Sequence, residues 1–424
     1  MWFFISLIIL ISGLFLTKKL FNTLRSPVGL FTIVWMGLFT LSNLKLVNYY
    51  DVSTSAGILI ISVYYLFFFG ALVASKVKVG TNKNIDSPIK YEFRRKNLLV
   101  GLFFSIILSN TALVLWLIFL AREIGIGALL SSNMYLNRIV MSDISTIFSY
   151  LMYIPSISGS LLAGILIAKG EKFKLIYLTT FLPTIANAIF TGQRNLTIIS
   201  ILLFMMPLFL IKVRVKKKYL SKQQNMMILF LIVSLVVFFV VIGGKRGSYT
   251  DITIESKFSN PVFIKTYMYL TGSFVAFSEQ LKMWNQELMY GVNSFLPVFK
   301  ILNALGVTSY DGDTFSLIES GREFIPIPMS FNVYTFLWDV ISDWGYLAIF
   351  VYPTILGFLS NLFWKKSNLH DYPSYSDILL SFIALFLSMS FIYSTSSMTT
   401  ILYVFIYTSV IFLVFKNKII FRKG

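Results

Sequence analysis

MMILFLIVSLVVFFVVIGGKRGSYT, residues 226–250, contains the point at which this chain changes character. Residues 226–242 form an uncharged apolar run long enough to cross a bilayer as a helix, and Gly243-Gly244-Lys245-Arg246-Gly247 ends it. Seven similar runs precede it, at about residues 2–16, 28–47, 56–75, 98–120, 146–168, 175–190 and 196–211. Three more follow, at 345–362, 377–393 and 399–415. The residues between, 243–344, carry paired charges, abundant aromatics and isolated prolines, which is not the composition of a disordered linker. The pattern predicts an all-α, polytopic integral membrane protein of about eleven transmembrane helices. Its three sections are an N-terminal bundle of eight (1–242), one large external loop with short helices that covers an active site (243–344), and three C-terminal helices (345–424).

Composition points the same way. Hydrophobic residues make up 57% of the 424 and charged residues 13%, with a mean hydropathy of +0.78, which leaves no room for a soluble domain. The absence of cysteine excludes disulfides, thiolate nucleophiles and Cys-ligated metals. The first run begins at Trp2 with neither a basic leader nor a small-residue cleavage site, so it is expected to be a retained span. No Walker A sequence occurs, and no loop on the basic side is large enough for a nucleotide-binding domain, which excludes an ATP-driven pump within this chain.

Orientation follows from the basic residues, because cationic loops stay in the cytoplasm. Residues 17–27, 76–97, 169–174, 212–222, 364–376 and 416–424 alternate along the run pattern and hold 25 of the 36 lysines and arginines. With Asp377 counted, they hold 5 of the 18 acidic residues. That half is near +20 and the remainder near −2, so the net +18 is a topology signal and calls for no nucleic acid. The N-terminus is expected outside, the C-terminus in the cytoplasm, and the long segment outside.

Within that segment, residues 262–283 mix apolar and polar positions at helical spacing, which suits an amphipathic helix on the membrane surface or a re-entrant one. Residues 292–305 are apolar but interrupted by Pro297, and Gly306, Asp311-Gly312-Asp313 and Pro326-Ile327-Pro328 mark turns. A second outer loop, 121–145, carries Arg122, Glu123, Arg138 and Asp143.

Several residues are candidates for chemistry. Arg194 lies in Thr191-Gly192-Gln193-Arg194-Asn195, a tight hairpin on the outer side, against the charge bias. Its guanidinium could grip a phosphate bidentately, or snorkel to lipid headgroups. Lys245 and Arg246 among their glycines offer an anion approach or the same snorkelling. Asp311 and Asp313 have the spacing of a metal clamp, but the glycine between them reads more simply as a turn, and no metal is expected. Glu279, Glu323, Asp339 and Asp343 are candidate bases, or partners for arginines. His370, the single histidine, falls in a cytoplasmic loop and cannot serve an outer site.

Residues 330–357 begin SFNVYTFLWDVISDWG and run into a membrane helix. This stretch resembles the O-antigen polymerase (Wzy) family of bacterial repeat-unit polymerases, in which an Asn-Val-Tyr-Thr-like sequence precedes an Asp-aromatic-Gly. Thr191-Gly192-Gln193-Arg194 is similar to that family's mid-chain Gly-Ser-Arg element, although Gln193 and Asn195 stand where a small polar residue and a glycine are common; Tyr269-Leu270-Thr271-Gly272 resembles another recurring piece. The resemblance implies a glycosyltransferase in the bacterial cytoplasmic membrane, acting on its outer face without a cofactor. The growing glycan would move from undecaprenyl pyrophosphate onto the next lipid-linked repeat unit, in O-antigen or capsule-type synthesis. Arg194 and Arg322 would bind pyrophosphate, assisted by Lys245 or Arg246, and Glu323, Asp339 or Asp343 would be the base. Asn332 and Tyr334 would contact substrate or brace the loop. Tyr267, Tyr269, Trp284, Tyr334, Trp338 and Trp344 could stack on sugars or anchor the interface. Membrane lipid and a chain-length regulator are the expected partners. A lipid-linked oligosaccharide flippase would be expected to place charges inside the bundle rather than in loops. An O-antigen ligase or another lipid-phosphosugar transferase would use similar residues.

Overall fold

The computed structural model describes residues 1–80, 88–125, 146–211, 256, 261–285, 287–310, 315, 324–327 and 330–416. Among these the regular structure is helical apart from one two-stranded ribbon and an isolated bridge between Val47 and Ser256. The helices are α1 Trp2–Phe21, α2 Pro27–Ser42, α3 Thr54–Lys76, α4 Pro88–Ile124, α5 Thr146–Ala168, α6 Leu175–Thr191 and α7 Asn195–Leu210. They continue as α8 Pro261–Met283, α9 Leu296–Ala304, α10 Phe336–Trp344, α11 Ala348–Ser367, α12 Tyr375–Met389 and α13 Thr399–Lys416. The strands β1 Ile325–Pro326 and β2 Ser330–Phe331 pair antiparallel just before α10.

α1, α3, α5, α11 and the Arg95–Glu123 part of α4 are long and apolar enough to cross a membrane; α2, α6, α7, α12 and α13 are shorter apolar helices. Ten of the expected spans therefore fall on helices, and the run 226–242 lies outside the described residues. This is an all-α, membrane-embedded protein.

Contacts divide the chain into two units, each assembled from separate stretches. The first comprises Met1–Lys78, Ser248–Leu362 and Phe386–Leu402; the second comprises Val79–Gly247, Phe363–Leu385 and Tyr403–Gly424. The long segment after Gly247 thus belongs with the first three helices.

In the first unit the core is aromatic. Trp35 is fully buried, donates its indole N–H to the Ile60 carbonyl at 3.0 Å, and meets Phe31, Phe274 and Phe336 ring to ring. α2 starts where Ser26 accepts the Gly29 amide at 3.1 Å and Pro27 occupies the first turn, where no donor is needed. It ends at Ser42, short of the apolar run, because residues 43–53 fold over α8. Along one face of α8, Tyr267 donates to the Leu41 carbonyl at 2.6 Å, Thr271 bonds the Tyr49 hydroxyl at 3.1 Å, and Ser278 accepts the Ser53 amide at 2.9 Å. Residues 271–278 of α8 are buried around the whole circumference. A helix lying on a membrane surface would expose one side there, so of the two expectations for 262–283 the surface helix gives way to a packed one, and the burial is compatible with a re-entrant helix. Small residues set the closest crossing: a side-chain carbon at Gly70 or Gly357 would fall 2.0 Å from a carbonyl of the facing helix, Thr354 or Phe67 respectively.

In the second unit α5 is buried throughout residues 155–168, and hydroxyls join it to α6 and α7. Ser160 bonds Ser200 at 2.7 Å and Thr180 at 3.0 Å, and Thr197 donates to the Thr184 carbonyl at 2.8 Å. At the far end of α5, Lys169 is buried. Its ammonium donates to the Ser367 and His370 carbonyls at 2.7 and 2.8 Å and lies 3.3 Å from Asp377, which also accepts the Ser374 amide at 2.7 Å. Arg95, on the first turns of α4, pairs with Glu171 nearby. Removing one partner of a buried ion pair leaves the other charge uncompensated. Lys169→Met is therefore expected to destabilise the purified protein by about 3–5 kcal/mol, and adding Asp377→Leu should recover part of the loss. Thermal unfolding in detergent reads both, and an unchanged melting temperature in Lys169→Met would overturn the account.

Candidate functional site

The stretch that carries the resemblance forms a tied structure in the first unit. Its centre is α10, held at its start by the Phe336 amide on the Ser390 carbonyl at 2.8 Å. Asp339 and Asp343 are four residues apart and so share one face of the helix. Both are buried, at 3% and 0% exposure. Asp343 receives the Asn293 amide on Oδ1 at 3.0 Å and the Ser294 amide on Oδ2 at 2.6 Å. Asp339 receives the Ser394 amide on Oδ2 at 3.0 Å. The two acids thereby hold separate turns: residues 289–295, ahead of α9, and 390–397, between α12 and α13. Ser396 closes the ring by donating to the Ser294 carbonyl at 2.7 Å, and the Met289 and Tyr290 amides bond the Ser342 and Asp343 carbonyls at 2.9 and 3.0 Å.

A carboxylate at a helix C-terminus works against the helix dipole, and Asp343 sits in the last turn of α10. The two amides offset this by offering it the kind of cradle that an anion finds at a helix start. Burial pushes the Asp343 carboxyl up to about 6; hydrogen bonds from Ser294 and the Asn293 amide pull it part of the way back, and the neighbouring Asp339 raises it. α10 ends at Gly345, whose φ of +69° and ψ of −170° only glycine adopts without strain, and the chain turns there into α11. The Asp-aromatic-Gly of the sequence thus reads as an amide-holding acid, Trp344, and a turn.

Tyr334 is 1% exposed and packs edge-on against Trp338 at 6.1 Å, so it braces the loop. Asn332 is half-buried. Tyr267 is buried in the α8 seam, whereas Trp284 and Trp338 are half-buried and Trp344 is exposed. Glu279 pairs with Lys282 at 2.7 Å. Pro297 stands in the first turn of α9, so it starts that helix and does not interrupt it.

Arg194 belongs to the second unit. The hairpin is present as expected: Gly192 ends α6 with φ +70°, Thr191 accepts the Gln193 amide at 3.2 Å, and Arg194 is the residue that opens α7. Arg194 is half-buried, and no side chain caps the start of α7 from that position. One turn before the end of α6, Asn187 is buried, and its carbonyl oxygen accepts from Tyr153 at 2.7 Å. Lys245, Arg246, Asp311, Asp313, Arg322 and Glu323, with Arg138 and Asp143 of the other outer loop, lie outside the described residues.

No motif marks the turn 390–397, whose signal is compositional: five serines and three threonines among residues 388–400 offer hydroxyls and amides to a buried acid. Compared with known proteins, the chain matches no family model, no curated protein and no solved structure.

Proposed function

We propose that this protein is a glycosyltransferase that polymerises undecaprenyl-pyrophosphate-linked repeat units on the outer face of the bacterial cytoplasmic membrane. It crosses the membrane about eleven times, with the N-terminus outside and the C-terminus in the cytoplasm. The observation that carries the reading is the stretch Ser330–Gly345. The residues that resemble the polymerase family supply the buried acid pair, the ring of amide bonds around it and the glycine turn into α11. Lysines in the last turns of α1, α3 and α11 support the orientation, since each of these helices would then end in the cytoplasm.

In the reaction the acceptor hydroxyl attacks the anomeric carbon of the donor glycan and the bond from that carbon to the phosphate oxygen breaks. Undecaprenyl pyrophosphate leaves with the charge, and the hydroxyl proton passes to a carboxylate. Arg194 and Arg322 stabilise the departing pyrophosphate, with Lys245 or Arg246 assisting. Both oxygens of Asp343 accept amides, so its part is to position α10, and proton transfer falls to Glu323 or Asp339. Asn332 contacts the substrate from the loop ahead of α10.

Reconstitution of the purified protein with the native lipid-linked repeat unit tests this directly. A ladder of products that persists in EDTA is the expected result; a ladder that needs magnesium or manganese would move the chemistry to a metal. Transfer of a single glycan to a different acceptor would favour a ligase. Orientation is tested separately, by reporter fusions: those near Ser248, Tyr310 and Ser320 should report outside, and those near Lys83, Lys217 and Gly424 inside. Tyr310 in the cytoplasm would remove the acid pair from the substrate's compartment and sink both readings.

A further inference from the structure

We propose that the turn Glu287–Gly291, together with Trp284, is seated in the interfacial layer of the bilayer as a shallow membrane anchor beside α10. This holds whichever reaction the protein performs. Tyr290 has φ +47°, a conformation that costs a bulky residue backbone strain, yet its side chain is 63% exposed. Strain of that kind persists where the surrounding structure over-determines it, and here the Tyr290 amide is tied to the Asp343 carbonyl while the side chain stays exposed.

The turn is also fixed in place. The Met289 and Tyr290 amides are bonded to α10, the Trp284 indole N–H donates to the Glu287 carbonyl at 3.3 Å, and a side chain at Gly291 would meet the Trp344 ring at 2.7 Å. Leu288 and Tyr290 are therefore held outward, and their exposure is a feature of the ordered turn.

What they face is settled by continuity. Trp284 lies 5.6 Å from the Tyr346 ring, and a side-chain carbon at Gly345 would lie 3.7 Å from Leu288. Beyond these come Leu347, 77% exposed, and then Phe350, Val351 and Ile355 on the exposed face of α11, a helix long and apolar enough to span the membrane. The apolar patch is an extension of that lipid-facing surface, and its tryptophan and tyrosine rings are the residue types that favour the headgroup level. Charges limit the depth. The Glu279–Lys282 pair stands one turn before Trp284, and Glu287 is exposed, so the turn reaches only the boundary between headgroups and acyl chains.

The chain contains no cysteine, which allows spin labels to be placed singly. Leu288→Cys, Tyr290→Cys and Leu347→Cys would be labelled in the full-length protein in nanodiscs of phosphatidylethanolamine and phosphatidylglycerol. Ile8→Cys, exposed near the middle of the apolar run of α1, provides the bilayer reference, and Asp51→Cys, exposed on the loop before α3, the water reference. Collision with a water-soluble nickel chelate is expected to be severalfold lower at Leu288, Tyr290 and Leu347 than at Asp51, and collision with oxygen higher. Chelate access at Leu288 and Tyr290 equal to that at Asp51 would overturn the anchor. So would protection from both reagents, which would mean that another protein covers the patch. Three positions are read, so a misfolded variant, recognised by its gel-filtration profile, does not remove the test.

Discussion

In cells whose only copy of the protein carries Arg194→Lys, the surface glycan is expected to collapse from a ladder to a single repeat unit. Lysine keeps one positive charge but loses the planar fork that matches two phosphate oxygens, so a bidentate contact to a departing pyrophosphate cannot be rebuilt. Gly192 turns the chain sharply and Arg194 opens α7, where the first amides of the helix add partial positive charge that favours a bound anion. Loss of one well-placed charge-stabilising donor lowers turnover by about a hundredfold or more, which is enough to abolish long chains. Protein level, membrane insertion and melting temperature should stay at wild-type values. Single units should still be built, flipped and, where a ligase exists, attached. A normal ladder in both Arg194→Lys and Arg194→Ala would make the arginine a headgroup anchor. Loss of even single units from the surface would point to a flippase.

The hairpin could be read in the sequence because a glycine between two apolar runs has few uses, and φ +70° at Gly192 is one of them. The apolar runs were legible for the same kind of reason: burial in lipid demands uncharged length, and length is visible. What composition could not reveal is where a helix stops for packing. α2 ends five residues before its apolar run does because Tyr267, Thr271 and Ser278, more than two hundred residues away, hold the loop that follows. α8 read as amphipathic because those hydroxyls look like a solvent face, when in fact they bond to the backbone and side chains of residues 41–53. The acid pair fails in a related way. Asp339 and Asp343 were visible as carboxylates, and arginines were the natural partners to expect. Their observed partners include backbone amides of residues 293, 294 and 394, and an amide is the same at every residue, so no spacing or motif announces it. The exposed turn at Tyr290 was hidden for the opposite reason: Leu288, Met289 and Tyr290 look like any short apolar segment until the bonds to α10 show which way they are held.

Asp343→Ala is expected to loosen the ring around α10 and to lower the stability of the purified protein in a pH-dependent way. At pH 7 it leaves one half-buried amide, that of Asn293, and one buried amide, that of Ser294, without an acceptor, a loss of about 2–4 kcal/mol. The wild-type carboxyl is raised by burial to about 6 in the folded protein, above its ordinary value of 3.8, so the folded state binds the proton more tightly than the unfolded one. That contribution to stability is complete below about pH 4 and is lost as the pH rises through about 6, and a shift of this size corresponds to about 3 kcal/mol. The advantage of wild type over Asp343→Ala, measured by thermal unfolding in detergent, should therefore be larger at pH 4 than at pH 7.5. If Asp343 were instead a free catalytic base, alanine would abolish transfer without moving the melting temperature at either pH. An advantage that grew from pH 4 to pH 7.5 would mean that the amides outweigh burial and hold the carboxyl down, and the account of its raised pKa would be lost. Asp343→Asn separates the two demands further. It keeps one acceptor oxygen for one amide but turns an NH2 group toward the other, so it should unfold between alanine and wild type, and its stability should not follow the titration of this site.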